Sequence, residues 1–249
     1  MKKTLRVELL SHTPDAEDVI FAAFRQCYAS GFVMDTIVNQ RRAGTITPEE
    51  RDRFLQDVLR TGHESPMEHV SFTFAIEGIS RVCSHQLVRH RLASYSQQSQ
   101  RYCVEEKELD YVLPPSIGRI EEAKEIYEAF MKHAGETYAR LRELLQSSGC
   151  HRESSNEDAR FVLPNAVETK LVATFNARSL LNFFQLRCCA RAQWEIRALA
   201  NRMCQLVKNI SPTLFQWAGP KCEKMGICFE SSKFSCGRKP LYQRPDENG

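Results

Sequence analysis

The chain has 249 residues and a formal net charge of +3, from 34 lysines and arginines against 31 aspartates and glutamates. This length can bury a hydrophobic core without disulfide bonds, and the charge is too small for a dedicated nucleic-acid binder. We therefore expect a globular protein that has no nucleic-acid partner.

The sequence near residue 1 does not predict an export signal, because Arg6 and Glu8 interrupt its apolar run. No stretch is long and apolar enough to predict a membrane span. We expect a cytoplasmic protein whose ten cysteines are reduced. Cys188 and Cys189 are expected to be buried as small hydrophobic residues.

Hydrophobic spacing predicts strands at 5–10, 70–79 and 170–175. It predicts helices at 14–30, from about 47, at 82–88 with a continuation to 91, and at 117–147, 179–189 and 193–210. The order has no βαβ regularity and no GxGxxG turn. We therefore predict an α+β fold with a small, mostly antiparallel sheet packed by helices. We expect a single domain at 1–217 and a Cys-containing extension of unknown role at 218–249.

The most informative segment is RHRLASYSQQSQRY at 89–102. Arg89, His90, Arg91 and Arg101 surround hydroxyl and amide side chains, without a carboxylate among them. Guanidinium groups fit phosphate oxygens in bidentate geometry, and serine hydroxyls can add donors. The alternative is a solvated basic loop, but the predicted helix before it would hold the arginines on a rigid element. The segment therefore predicts binding of a phosphorylated small molecule.

This segment resembles RHRxxSxNxxSxRY, the signature of the flavin-dependent thymidylate synthases. Ser96 stands at the asparagine position; the matching residues are Arg89, His90, Arg91, Ser94, Ser99, Arg101 and Tyr102. Three further blocks resemble the family in the same order: HESPMEH at 63–69, ARFVLP at 159–164 and FNARSLLNFFQLRCCARAQWEIR at 175–197. The resemblance extends over about residues 20–217.

The resemblance implies methylation of deoxyuridine monophosphate (dUMP) at C5. Methylenetetrahydrofolate would donate the one-carbon unit, reduced FAD would supply the hydride, and NADPH would re-reduce the flavin. It also implies a homotetramer whose active sites lie where subunits meet.

The resemblance also assigns binding roles. The implied dUMP ligands are Gln86, Arg89, Gln97, Ser99, Arg101, Arg160 and Arg187. The implied FAD ligands are Ser65, Glu68, Arg89, His90, Arg91, Gln97, Asn176, Arg178 and Asn182. It places His63 near the folate and flavin rings, and Gln97 stands where relatives often carry glutamate.

Helical spacing supports two of these groups independently. Gln86, Arg89 and His90 would share one face of a helix that reaches Arg91, and Arg178 and Asn182 would share another. Without the resemblance, Asn176 would be interpreted as a helix cap.

Arg187 is the predicted catalytic residue. It lies four positions after Phe183 on an apolar helix stripe, where an unpaired charge is costly. A structural salt bridge to Glu195 is the alternative. The resemblance implies that Arg187 meets the uracil ring and stabilises developing negative charge, since arginine is not a base at neutral pH. We also expect Glu157 to orient Arg160, three residues later.

No metal site is predicted. Pro66 disrupts the helix that an HExxH zinc site requires. Cys222, Cys228 and Cys236 lack the tight cysteine pair and the fourth ligand of a zinc site. We expect a flexible, reduced tail that packs on the surface.

Two other functions remain open from the sequence. A synthase with a cysteine nucleophile would use Cys103, which follows Arg101 and Tyr102. An RNA-binding module would use the same arginines and stack bases on Tyr95 and Tyr102.

Overall fold

The computed structural model describes residues 1–103 and 108–243. Its strands are β1 (Arg6–His12), β2 (Ser71–Ser80), β3 (Ala93–Gln97) and β4 (Glu168–Asn176), in the sheet order β1-β2-β4-β3. Its helices are α1 (Ala16–Gln26), α2 (Asn39–Arg42), α3 (Pro48–Arg60), α4 (Arg81–Leu87), α5 (Pro115–Gly118), α6 (Glu121–Ser147), α7 (Arg152–Ala159), α8 (Ala177–Arg187), α9 (Trp194–Ile210), α10 (Pro212–Phe215) and α11 (Lys221–Met225). Two 3₁₀ segments lie at Ser65–His69 and Arg160–Val162, and a π-helical turn lies at Met34–Val38. The predicted α+β class with a small antiparallel sheet is confirmed.

The chain forms two compact units, and each of the strands β1 to β4 contributes residues to both. Unit 1 comprises Met1–Val7, Ala75–Arg89 and Tyr95–Ala173. Unit 2 comprises Glu8–Phe74, His90–Ser94 and the chain from Thr174 onward. The expected boundary after residue 217 stays a prediction, and residues 244–249 of the expected extension lie outside the described residues.

The core of unit 1 forms around the long helix α6. Met131 and Ala134 on α6 pack with Leu109 and Val167. The predicted helix 117–147 is interrupted before α6, because Ile120 is extended, with φ −114° and ψ 108°. Close backbone packing at the end of β2 requires glycine at Gly78, whose φ is +72° and whose added Cβ would collide with the carbonyl of Thr4.

Aromatic packing fixes α8 in unit 2. Phe183 on α8 stacks on Phe175 of β4 at 5.7 Å between ring centroids, while its neighbour Phe184 packs edge-on against Phe215 of α10 at 6.3 Å. These rings are essentially fully buried, so they anchor α8 rigidly.

One local prediction is wrong, because α4 ends at Leu87 and not at Arg91. The hydroxyl of Tyr95 donates to the carbonyl of Leu87 at 3.0 Å, which satisfies a helix C-terminal acceptor. The chain then enters β3, a strand that hydrophobic spacing did not predict. No helix in the described ranges is long and apolar enough to cross a membrane.

Candidate functional site

A cavity of about 680 Å³ lies in unit 1, in the size range of small-molecule sites. Three predicted dUMP ligands line it: Gln86, Gln97 and Arg160. Its remaining walls are Arg81, Val82, Ser84, His85, Val88, Gln100, Phe161, Leu163, Pro164 and Asn165. Two arginines, a histidine and several amides therefore converge on one concave surface.

The amide of Gln97 has a defined orientation in this cavity. Its NH₂ group donates to the hydroxyl oxygens of Ser84 and Thr169, each at 3.0 Å. Both amide hydrogens are committed, so the carbonyl oxygen is the group that Gln97 offers to a ligand. Gln97 therefore acts as a neutral acceptor, without the charge of a glutamate.

Arg101 is held by groups from α7. Its Nε lies 3.3 Å from a carboxylate oxygen of Glu157, and its carbonyl accepts from the side-chain amide of Asn156 at 2.8 Å. Among the described residues Glu157 therefore pairs with Arg101, and the expected pair between Glu157 and Arg160 is not observed. Ser99 accepts a hydrogen bond from the backbone N–H of Arg101 at 3.3 Å.

Arg89 follows the end of α4 and is exposed. Its guanidinium lies 3.3 Å from Nε2 of His85, one turn earlier. The predicted shared helical face of Gln86, Arg89 and His90 is wrong, because only Gln86 of the three lies within α4. His90 and Arg91 belong to unit 2.

The central pair in unit 2 is Arg187 and His90. Arg187 Nε donates to His90 Nε2 at 3.0 Å, and Phe183 packs edge-on against the imidazole at 4.8 Å. Arginine has no acceptor, so Nε2 must accept and the proton of the neutral ring lies on Nδ1. Burial of the ring, and then the positive charge of Arg187, lower the pKa of His90 from 6.5 to about 4.

The observed partner of Arg187 is His90, and not Glu195, which was the alternative from the sequence. Among the described residues, Arg187 takes part in no ion pair with Glu195, and its hydrogen-bond partner is the imidazole of His90. The terminal NH₂ groups of the guanidinium have no partner among those residues and are available to a ligand.

A second group in unit 2 links the HESPMEH block to α8. Glu68 on the 3₁₀ segment pairs with Arg178 near the start of α8, and both side chains are half exposed. Asn182 lies one helical turn after Arg178 and is also exposed, which agrees with the predicted shared face. Ser65 begins the 3₁₀ segment and is exposed. These side chains present donors and one carboxylate to solvent.

Asn176 is the N-cap of α8, as its residue type predicts. Its side-chain oxygen accepts from the backbone N–H of Ser179 at 2.8 Å. Its predicted contact with FAD stays a prediction. His63, from the same block as Ser65, lies 3.5 Å from the hydroxyl of Tyr28.

No group of three or more His, Cys, Asp or Glu side chains suited to a metal occurs in the part of the chain that the structure describes. All ten cysteines are free thiols; Cys188 is buried as expected, whereas Cys189 is only partly buried. The tail is more ordered than expected, since it forms α11 and a bridge between Cys228 and Leu241.

Arg81 is a cavity residue that the sequence interpretation missed. It is the first residue of α4, and its guanidinium donates to the carbonyl of Gln98 at 3.0 Å. A cation in the first turn opposes the helix dipole. This unfavourable charge in the first turn of α4 is the feature of the sequence that could have indicated a role for Arg81 outside the helix.

Comparison with known proteins gives the family. Residues 8–213 match the family model Thy1, described as "Thymidylate synthase complementing protein". A flavin-dependent thymidylate synthase from Nitratidesulfovibrio vulgaris is 52% identical over 96% of both chains. One from Geobacter sulfurreducens is 47% identical over 96% of this chain and 97% of its own.

A solved structure supports the fold. The crystal structure of the UMP/dUMP methylase PolB from Streptomyces cacaoi, bound with 5-Br dUMP, has a TM-score of 0.68 and 24% identity. The similarity covers 86% of this chain and 94% of that one. The chain therefore belongs to the Thy1 family of thymidylate synthase complementing proteins, which confirms the resemblance carried by its four motif blocks.

Proposed function

We propose that the protein is an FAD-dependent thymidylate synthase that converts dUMP to dTMP. The observation that carries this proposal is the unit 1 cavity, whose wall includes Gln86, Gln97 and Arg160. The identity of 52% to a flavin-dependent thymidylate synthase over nearly the whole chain supports it.

The proposed reaction consumes dUMP, methylenetetrahydrofolate, NADPH and a proton, and it yields dTMP, tetrahydrofolate and NADP⁺. The folate contributes its methylene group, and one hydride completes the methyl group. The proton lost from C5 of the uracil and the proton consumed restore the two N–H bonds of tetrahydrofolate. We further propose that the enzyme is a cytoplasmic homotetramer with active sites at subunit interfaces, as the family resemblance implies.

The cavity offers complementary groups for a nucleotide. Arg160 supplies positive charge, and the carbonyl oxygen of Gln97 supplies a fixed acceptor. Gln86 on α4 adds an amide, which can pair with a donor and an acceptor together. We assign Arg89, Ser99 and Arg101 to the same ligand, because all three belong to the motif at 89–102, which contains β3.

The exposed side chains of unit 2 fit a flavin dinucleotide. Arg178, Asn182 and Ser65 provide guanidinium, amide and hydroxyl donors suited to pyrophosphate and to polar ring edges. We assign Glu68, His90, Arg91 and Asn176 to this cofactor as well. Reduced FAD, when bound, supplies the hydride for the methyl group.

Arg187 is the proposed catalytic residue, and His90 fixes its orientation. The imidazole is neutral near pH 7, because its pKa is about 4, so it accepts from Nε without adding a second positive charge. The terminal NH₂ groups of Arg187 then remain available for negative charge that develops on the uracil ring. A preorganised cation of this kind lowers the barrier without transferring a proton.

The test is an absorption titration combined with a turnover assay. The purified protein with FAD should show flavin bands that shift on addition of dUMP, and it should form dTMP with methylenetetrahydrofolate and NADPH. Arg187→Ala should keep the flavin bands and lose about 10²–10³ in turnover, the usual effect of removing one electrostatic stabiliser. The control Arg202→Ala removes an exposed arginine of α9 and should act as the wild type.

The same experiments separate the two other functions. Cys103→Ala should retain turnover, because the exposed Cys103 thiol has no role in the proposed chemistry. Loss of turnover in that variant would favour a cysteine nucleophile. An absence of flavin binding, together with salt-sensitive RNA binding, would favour the RNA-binding function.

A further inference from the structure

The C-terminal segment (residues 219–243) lies beyond residues 8–213, which match the family model. It belongs to unit 2 and has structure of its own. The backbone N–H of Cys228 donates to the carbonyl of Pro240, and that of Tyr242 donates to the carbonyl of Cys228, both at 2.7 Å. The rings of Phe229 and Tyr242 pack at 5.4 Å. The segment therefore forms a small closed fold rather than a loose tail.

The first contact of this segment with the rest of unit 2 is an ion pair. Lys224 Nζ on α11 lies 2.8 Å from a carboxylate oxygen of Glu64, and the two side chains are 25% and 22% exposed. The pair lines a void of about 20 Å³, whose other walls include the apolar side chains of Leu59, Leu181 and Leu214. Partial burial and the apolar neighbours limit the access of water, so this pair is stronger than a pair on an open surface.

Glu64 has a specific position in the chain. It immediately precedes the 3₁₀ segment of Ser65 and Glu68, and its carbonyl accepts the N–H of Met67 at 3.1 Å. A displacement of Glu64 would therefore move the start of that segment. Ser65 and the Glu68–Arg178 pair would move with it.

A second contact reaches the loop after α8. Arg191 lies four residues beyond Arg187, and its Nε is 3.4 Å from a carboxylate oxygen of Glu230. Its guanidinium also lies over the ring of Phe234, 3.9 Å from the centroid. The C-terminal segment thus contacts the rest of unit 2 beside two blocks that carry proposed flavin ligands, HESPMEH at 63–69 and the block at 175–197.

We propose that the C-terminal segment positions the flavin-binding residues, and that Lys224 is the positioning residue that acts through Glu64. This inference rests on the proposed function, since it requires that Ser65, Glu68 and Arg178 bind FAD. Lys224 itself does not touch the cofactor. It keeps the 3₁₀ segment in the conformation that binds the flavin.

The experiment compares FAD dissociation constants of variants of the full chain, measured by quenching of flavin fluorescence, with thermal unfolding followed in parallel. Lys224→Ala should weaken FAD binding about tenfold, the loss of one well-shielded ion pair. Lys224→Arg should bind within about threefold of the wild type, because it restores the charge. Saturating FAD should return the kcat of Lys224→Ala to the wild-type value, since only cofactor binding is weakened.

The matched control is Lys239→Ala, which removes a lysine from the same segment. Lys239 pairs with Glu223 at 3.8 Å, inside the segment, so its loss should leave FAD affinity unchanged. If Lys224→Ala does not fold, Glu64→Gln replaces it, with an expected loss of about threefold from removal of one charge.

Wild-type FAD affinity in Lys224→Ala, or equal weakening in Lys224→Ala and Lys239→Ala, would overturn the positioning role and leave the proposed function intact. A kcat that stays low at saturating FAD would overturn it too. A wild-type protein that binds no FAD would overturn the proposed function and this inference with it.

Discussion

Acidification should destabilise the folded protein through His90. The imidazole is half buried against Phe183 and accepts a hydrogen bond from Arg187. Its pKa is about 4 in the folded protein and 6.5 in the absence of these effects. Between these two pH values the unfolded chain binds more protons at this residue than the folded protein does, so a falling pH favours unfolding. The contribution of His90 to the free energy of unfolding is present above pH 6.5 and is lost as the pH falls toward 4.

The size of the effect follows from the two pKa values. Each pH unit in this window costs about 1.4 kcal/mol when the group is fully shielded. Between pH 7 and pH 5 the loss would then be about 2 kcal/mol. His90 is only partly buried, so solvent screens the charge of Arg187 and we reduce the expected loss to about 1 kcal/mol.

The measurement is the free energy of unfolding in urea at pH 7 and pH 5, at one protein concentration. His90→Gln removes the titrating group and keeps an acceptor for Arg187, so this variant should lose about 1 kcal/mol less than the wild type. His133→Gln replaces an exposed histidine of α6 and should follow the wild type. Equal losses in the wild type and His90→Gln would refute the assignment of a neutral, depressed-pKa imidazole.

Three further outcomes are expected. Gly78→Ala should cost about 3 kcal/mol or more, because the new Cβ meets a backbone carbonyl at a positive φ; a melting temperature near that of the wild type would contradict this packing. Thr47→Ala removes half of the capping box of α3 and should lower the free energy of unfolding by about 1 kcal/mol, whereas an unchanged value in urea would show that the cap is dispensable. The hydrogen bond with Cys204, and then burial, raise the pKa of Cys188, so iodoacetamide should alkylate exposed Cys150 before Cys188 in the native protein; equal rates by mass spectrometry would argue against this burial.

Much of the fold could be predicted because its elements have regular hydrophobic spacing. α9 begins at Trp194 and ends at Ile210, close to the predicted 193–210, and Ser211 and Pro212 end it for a steric reason. β3 could not be predicted in this way. Its sequence ASYSQ has no hydrophobic alternation, and the chain is held there by partners such as Lys170, whose carbonyl accepts from Gln98 at 2.9 Å.

The candidate site was predictable in its residue types but not in its pairings. The motif blocks indicated which arginines to consider, yet Arg187 and His90 are 97 positions apart and only the folded chain brings them together. Local spacing was misleading for Arg89 and His90, because α4 ends at Leu87, before both residues. Sequence periodicity holds within an element and fails where the element stops.

Asn176 limits which substitutions this position tolerates, because its side chain caps α8. Its side chain holds the first turn of α8, so an alanine scan there would report a folding defect together with any loss of cofactor contact. The substitutions Asn176→Asp and Asn176→Ser would keep the cap and isolate the amide. Substitution at this position is therefore restricted to the few short polar side chains that can cap α8, whatever ligand the amide contacts.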